Sequence, residues 1–491
     1  MSVFLFIIYL LIILGFTYWA SKKYLTTIHP LITTSFFGLK FLISLFFLFV
    51  YTYHYGGGEL TADAGKFFKE SVILHEVFFK NPSAYFSFLT NIGETEELIH
   101  AYLSETNHWS ASERILPNDS RNVIRINSII LFLSQGEILT HFLFFSFFSF
   151  LGGLDLFQFI KKISKLNAII ILLFTTLIPS VAFWGGSIIK EPLMLLGLCL
   201  LIRAFFDKIH WKRKAWRIII GGSLMLMFKP YILACLLVAV IFFWIIQYII
   251  KKQRLVAFVL YIIVGFTLLK VTGNFDKIVG IISKQQEDFI NLRDGGLYLI
   301  DDEEHYHYIY YINRSKFEIK DGYATLLEPT GSFYMKKSDN FDRKPHKLTE
   351  VGKTWEIGVQ LSQAGSGVDV TPIRKSFSTM VKIIPEVLFI SLVRPLPSDD
   401  GSWLKYLAFI ENIVMLILLA FSFIIFPRKL NNYEQNVLIS FSIFALAVLL
   451  IVGWTTPVLG AVVRYKVPAT LVLGLIILIK ARKLPFLKEN K

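Results

Sequence analysis

The chain has 491 residues, 54% hydrophobic and 16% aromatic, a mixture too apolar to fold around one water-soluble core of ordinary size. Its 50 Lys and Arg against 36 Asp and Glu leave a net charge of +14, which in so apolar a chain is a membrane-topology signal and no ground for a nucleic-acid partner. The 2 cysteines, Cys199 and Cys235, both fall in apolar runs, which excludes a disulfide framework and a cysteine-rich metal site.

Apolar runs of roughly 20 residues, long enough to cross a ~30 Å hydrocarbon layer as helices, fall at about 3–20, 31–53, 136–160, 167–184, 231–250, 255–272, 404–426 and 435–454. Shorter runs at about 192–206, 217–228 and 467–481 complete a set of about eleven spans by borrowing flanking residues or by sitting in broken helices. The first run is read as a retained span because Lys22 and Lys23 follow it, where a signal peptide would be preceded by its charge. Basic clusters at Lys22–Lys23, Lys161, Lys162 and Lys165, Lys208–Arg217, Lys251, Lys252 and Arg254, Arg428–Lys429, and the tail (Arg482, Lys483, Lys488, Lys491) all map to one side. Short basic loops stay cytoplasmic, so the N-terminus is expected outside and the C-terminus in the cytoplasm.

The expected fold is an all-α polytopic membrane protein of about eleven transmembrane helices with two extracytoplasmic caps, the first mainly helical and the second mixed α+β. The expected segments are N-terminal helices in 1–53, a first cap in 54–128, a central bundle in 129–272, a second cap in 273–384, and C-terminal helices with a basic tail in 385–491. The first cap carries Glu94, Glu96, Glu97, Glu105, Glu113 and Asp119, and its stretch 74–89 has the apolar face of a surface-lying helix, broken at Pro82. In the second cap, His305 and His307 alternate with Tyr306 and Tyr308, the signature of a strand.

Five cations stand beside proline or glycine where apolar runs stop: Lys190 (GGSIIKEP), Lys229 (FKPY), Arg394 (VRPLP), and Arg464 and Lys466 (VVRYKVP). All five map to the outer edge, against the inside-positive trend. Singly each reads as a snorkelling side chain; together they suit a phosphate whose lipid tail lies in the bilayer. Arg121 and Arg125, four apart ahead of an apolar helix, read either as a further phosphate pair or as interfacial anchors.

The opposite chemistry follows the second span in YTYHYGGGELTADAGKFF, where three glycines permit a sharp turn and Glu59 and Asp63 share a face if the stretch is helical. A carboxylate here acts as general base on an acceptor or holds a divalent cation; the plainer reading makes Thr61 an N-cap and Asp63 a first-turn acid. Within the spans, Lys40, Glu137 and Glu411 are expected to reach water at helix ends, and His141 to be a satisfied bundle histidine. That is a poor set for a transporter's ion path.

GGGELTADAGKFFKES followed by a surface helix, together with VVRYKVPATLVLG, resembles the GT-C superfamily of integral-membrane glycosyltransferases and the related polytopic proteins of bacterial surface-polysaccharide clusters. The resemblance implies a bacterial inner-membrane enzyme taking a sugar from a polyprenyl-phosphate donor at the outer face. It carries the catalytic acid onto Asp63, then Glu59, and phosphate contact onto Arg464 and Lys466. An O-antigen-type polymerase or ligase, using Arg293, His305, His307, Arg314, His346 or Arg374, is a second reading. A non-catalytic envelope subunit or transporter is a third.

Overall fold

The computed structural model describes residues 2–110, 119–250, 253–336, 339–425 and 428–481. Of the residues singled out above, Glu113, Lys251, Lys252, Arg482, Lys483, Lys488 and Lys491 lie outside the described residues, as does the side chain of Asp119.

In chain order, α1 (Ser2–Tyr24) and α2 (Pro30–Phe49, continued by a π-helical turn Val50–His54) lead into a helical segment. That segment holds α3 (Ala62–Lys80), α4 (Pro82–Thr90), α5 (Glu96–Tyr102), α6 (Asn107–Ser110) and α7 (Asp119–Ser134). A bundle follows: α8 (Ile138–Ile163), α9 (Ala168–Thr176), α10 (Pro179–Trp184), α11 (Glu191–Phe206), α12 (Trp211–Phe228) and α13 (Pro230–Trp244, with a π-helical turn Ile245–Ile249). Next come α14 (Arg254–Val271) and α15 (Asn274–Asp294). The strands are β1 (Gly296–Ile300), β2 (His305–Ile309), β3 (Phe317–Lys320), β4 (Tyr323–Leu326), β5 (Thr330–Lys336), β6 (Asp339–Leu348) and β7 (Thr354–Leu361). The chain closes with α16 (Phe377–Lys382), α17 (Ile384–Leu392), α18 (Leu404–Ala420), α19 (Asn432–Thr455), α20 (Leu459–Tyr465) and α21 (Val467–Lys480).

Among the described residues, 7 helices (α1, α2, α8, α13, α14, α18 and α19) are long and apolar enough to cross a membrane, and α20 with α21, bent by 52° at their junction, makes an eighth if the pair is one span. The chain is a helical membrane protein; the expected count of eleven spans is not confirmed among the described residues. The run at 167–184 is interrupted between α9 and α10, where Pro179 has no N–H for the helical ladder. Helix α11 has 16 residues and α21 has 14, while α12 has 18 and carries Lys212, Arg213, Lys214 and Arg217 in its first two turns. At 1.5 Å per residue α11 and α21 reach only about 21–24 Å, and α12, as long as α14, is set apart by those four charges.

Two compact units divide the chain: Met1–Ile249 with Ile417–Ala445 and Val467–Lys491, and Ile250–Leu416 with Leu446–Lys466. In the first, α8 packs against α2, α9 and α11, and α11 against α12. Asp155 of α8 lies 2.5 Å from Arg203 of α11 and 2.7 Å from Arg217 of α12, and Asp207 takes Lys162 at 2.8 Å. Each buried charge in this network thus has an opposite at hydrogen-bond distance, the condition for tolerating ions in the interior. The helix break expected at Pro82 is present, with the Asn81 side chain accepting the Ala84 N–H at 3.1 Å as the N-cap of α4.

In the second unit the strands form one antiparallel sheet in the order β3-β4-β7-β1-β2-β5-β6. Leu297, Leu299, Ile309, Phe317, Ala324, Leu326, Leu348 and Trp355 build its core, and β2 is the strand that the His–Tyr alternation predicts, with His307 opposite Leu299. Helix α15 packs Phe275 and Val279 against Met380 and Val387 of α16 and α17.

Candidate functional site

The chain leaves α2 through a turn at Gly57 (φ +60°) and Gly58 (φ +109°), backbone that favours glycine. Glu59 lies in that turn and not on a helix. It is exposed and bound to Lys69 at 2.7 Å, and the hydrogen bond and charge of Lys69 hold its carboxyl below the usual carboxylate range. Because α3 starts only at Ala62, the expected shared helix face of Glu59 and Asp63 does not form. Thr61 occupies the N-cap position without a side-chain cap bond, and Ala62 takes φ +55°, a left-handed conformation that costs energy in a residue with a Cβ.

Asp63, Phe67 and Glu70 follow at i, i+4 and i+7, one face of α3. Phe67 is buried at 1% exposure, with the Lys190 Nζ 5.9 Å from its ring centroid and the His108 ring at 5.4 Å. Lys190 and His108 are half-buried around that ring, and Asp63, one helical turn before it on α3, is half-buried too. Glu70 is buried behind it, accepting from His108 Nδ1 at 2.9 Å and from the backbone N–H groups of Asn107 at 3.1 Å and His108 at 3.4 Å. Burial by itself would raise the Glu70 carboxyl, but the His108 ring and these donors hold it below the usual range. The Glu70–His108 pair has no sequence signal, since its members are 38 residues apart.

Arg121 and Arg125 do share one face of α7, and they use it to grip the segment around them. Their guanidinium carbons stand 5.2 and 5.8 Å from the Trp109 ring centroid, and both reach Glu94, at 3.3 and 3.8 Å. Arg121 Nε donates to the His108 carbonyl at 2.7 Å and Arg125 Nε to the Phe88 carbonyl at 2.6 Å. Burial lowers the Arg125 pKa, with Glu94 opposing. The anion these two share is therefore Glu94. Lys229 joins α12 to α13, 9% exposed, with its ammonium 5.7 Å from the Tyr231 ring centroid.

In the second unit, Arg394 and Lys466 come together. Lys466 is 4% exposed and donates to the Ser391 carbonyl (2.9 Å), the Arg394 carbonyl (3.4 Å) and Asn412 Oδ1 (2.9 Å), closing the C-terminal end of α17. Arg394 Nη1 pairs with Asp399 at 3.2 Å. Arg464 lies in the last turn of α20 with its guanidinium carbon 5.9 Å from the Tyr465 ring centroid. In the cap, Arg293 is paired with Asp294 and Asp369 at 2.7 and 2.9 Å, and His305 with Asp302 at 2.9 Å. The ring of His307 lies 3.5 Å from Asp301.

Within the bundle, His141 is satisfied as expected, by Asn127 at 2.7 Å and Ser134 at 2.9 Å, and Glu137 caps α8 through the Leu139 N–H. Lys40 departs from expectation: it is 1% exposed and does not reach water, with its Nζ 3.4 Å from the Thr176 carbonyl at the end of α9. Among the described residues, no group of 3 or more His, Cys, Asp or Glu is arranged to hold a metal ion.

No protein-family model, curated protein or solved structure matches this chain.

Proposed function

We propose that this protein transfers a sugar or oligosaccharide from a polyprenyl-(pyro)phosphate donor in cell-envelope glycan synthesis. The work takes place at the extracytoplasmic face of a bacterial cytoplasmic membrane, with the N-terminus outside and the C-terminus inside. The observation that carries this reading is the face of α3, where the acid of the glycine-turn motif stands one helical turn from Phe67 and the Lys190 ammonium reaches the same ring, 5.9 Å from its centroid. A sugar phosphate needs both signs of charge side by side: a cation for the phosphate and an acceptor for sugar hydroxyls. Helices that cross the bilayer on either side of this segment, α2 and α8, keep it at the membrane surface where a lipid-linked donor presents its head.

Lys190 stabilises the charge that grows on the departing phosphate, and Asp63 accepts hydrogen bonds from hydroxyls of the transferred sugar. Lys190→Met is expected to slow transfer about 10²–10³-fold, the cost of removing one preorganised electrostatic donor. Asp63→Asn is expected to slow it about 10–100-fold, the range of a hydrogen bond to a charged group. The measurement is restoration of surface glycan in a deletion strain, with protein level in the membrane checked in parallel. Wild-type glycan from both variants would sink the reading. If changes at Arg293 or His305 abolish glycan while these two do not, an O-antigen-type polymerase takes its place.

A further inference from the structure

We propose that His108, held by Glu70, is the general base of this transfer, removing the proton of the acceptor hydroxyl. The inference rests on the proposed transfer reaction for its substrate, and on the geometry of the first helical segment for everything else.

A histidine works as a base when one ring nitrogen is tied to an ionised acceptor and the other faces the reactant. Glu70 supplies the first condition. Its side chain is 5% exposed, and its oxygens receive two backbone N–H groups, the Asn107 amide at 3.4 Å and His108 Nδ1 at 2.9 Å. So many donors keep it a carboxylate and assign the Nδ1–H tautomer, which leaves Nε2 as the ring's lone-pair nitrogen. The His108 side chain keeps 21% exposure, and no hydrogen bond to Nε2 is found among the described residues. The ring is fixed from behind by Phe67 at 5.4 Å, and its backbone by Arg121, which donates to the His108 carbonyl at 2.7 Å. Among the described residues, Glu70 of α3 is the charged group on the ring itself, while Arg121 of α7 holds the His108 carbonyl and Lys190 lies over the Phe67 ring that backs it.

The step balances without a further reagent. The acceptor oxygen bonds to the anomeric carbon as its proton passes to His108 Nε2. The bond from that carbon to the phosphate oxygen breaks, and its electron pair leaves on the phosphate beside Lys190. The imidazolium, stabilised by Glu70, then returns its proton to water.

Two measurements test this. The first uses purified protein with a short-chain polyprenyl-phosphate hexose as donor and glycerol as acceptor, reading the release of polyprenyl phosphate. His108→Asn keeps a donor for Glu70 at the Nδ1 position but has no base, so release should fall about 10²–10⁴-fold with donor binding and thermal midpoint unchanged. Glu70→Gln, a positioning change, should lower kcat and leave KM in place. Wild-type release from His108→Asn overturns the assignment. The second measurement needs no sugar transfer. Diethyl pyrocarbonate should modify His108 in the intact protein, and sugar-free polyprenyl phosphate should slow that modification at least ~10-fold, the occupancy expected when a ligand exceeds its Kd about tenfold. An unreactive or unshielded His108 overturns the proposal, whereas a shielded His108 in a protein that turns over no polyprenyl-phosphate hexose overturns only the transfer reaction.

Discussion

Lys466 and Lys40 are both buried lysines, and their surroundings separate what each does for stability. Lys466 holds the Ser391 carbonyl and Asn412 Oδ1 at 2.9 Å each, so Lys466→Met strands two buried acceptors and should cost about 1–3 kcal/mol, read as a lower unfolding midpoint in detergent. Lys40 makes one long contact, 3.4 Å to the Thr176 carbonyl, and the same substitution there removes a buried charge for little lost bonding. Its midpoint should stay level or rise. Glu70 gives a pH dependence with a definite sign. Its folded pKa lies below the ordinary value, so its stabilisation is complete above the unfolded pKa of about 4.3 and is lost as pH falls through the folded one. Unfolding followed from about pH 6 to about pH 3 should show a decline that Glu70→Gln makes shallower.

At the scale of elements, the start of α3 is fixed by close backbone approach. A Cβ on Gly65 would stand 2.0 Å from the Leu60 carbonyl oxygen, a clash between main-chain atoms that side-chain movement cannot relieve. Gly65→Ala should therefore open the 56–65 turn, seen as faster amide exchange there, and displace Asp63. Removing the Asn81 cap offers a mild contrast: Asn81→Ala should cost about 1 kcal/mol and leave the turn protected. The short helices α9, α10 and α11 show the other side of element formation in membranes. They persist below spanning length because neighbours bury them; Ile171, Leu172 and Val181 are 0–3% exposed, so their backbone needs no lipid-length run of its own.

For the molecule as a whole, the proposed orientation predicts opposite labelling of two exposed positions. Cys199 and Cys235 are buried, so an impermeant maleimide meets a quiet background. Glu105→Cys should label in intact cells and Lys165→Cys, in the connection after α8 that either span count puts inside, only after permeabilisation; labelling of both from one side would remove the orientation on which the extracytoplasmic site depends. Seven spans, like eleven, put the termini on opposite sides, whereas counting the bent α20–α21 pair as an eighth puts them together. A C-terminal reporter thus reads whether that pair crosses.

Local features of the sequence determined the local features of the protein. Apolarity sustained over a bilayer's thickness needs no partner to be recognised, and the runs that became α1, α2, α8, α13, α14, α18 and α19 were legible for that reason. So were the break at Pro82 and the His–Tyr strand, which follow from missing N–H groups and period-two alternation. Asp63 and Lys190 were legible as types of charge at the edge of apolar runs, although the approach of Lys190 to the Phe67 ring one turn beyond Asp63 was not. Only tertiary structure decided which charges were already committed. Arg121 and Arg125 meet Glu94, Lys466 meets the end of α17, and Glu59 meets Lys69. Glu70 and His108 lay unmarked 38 residues apart until folding set them 2.9 Å from each other. Whether a titratable group serves as strut or reagent depends on what occupies its few ångströms of surroundings, and composition and spacing along the chain do not carry that information.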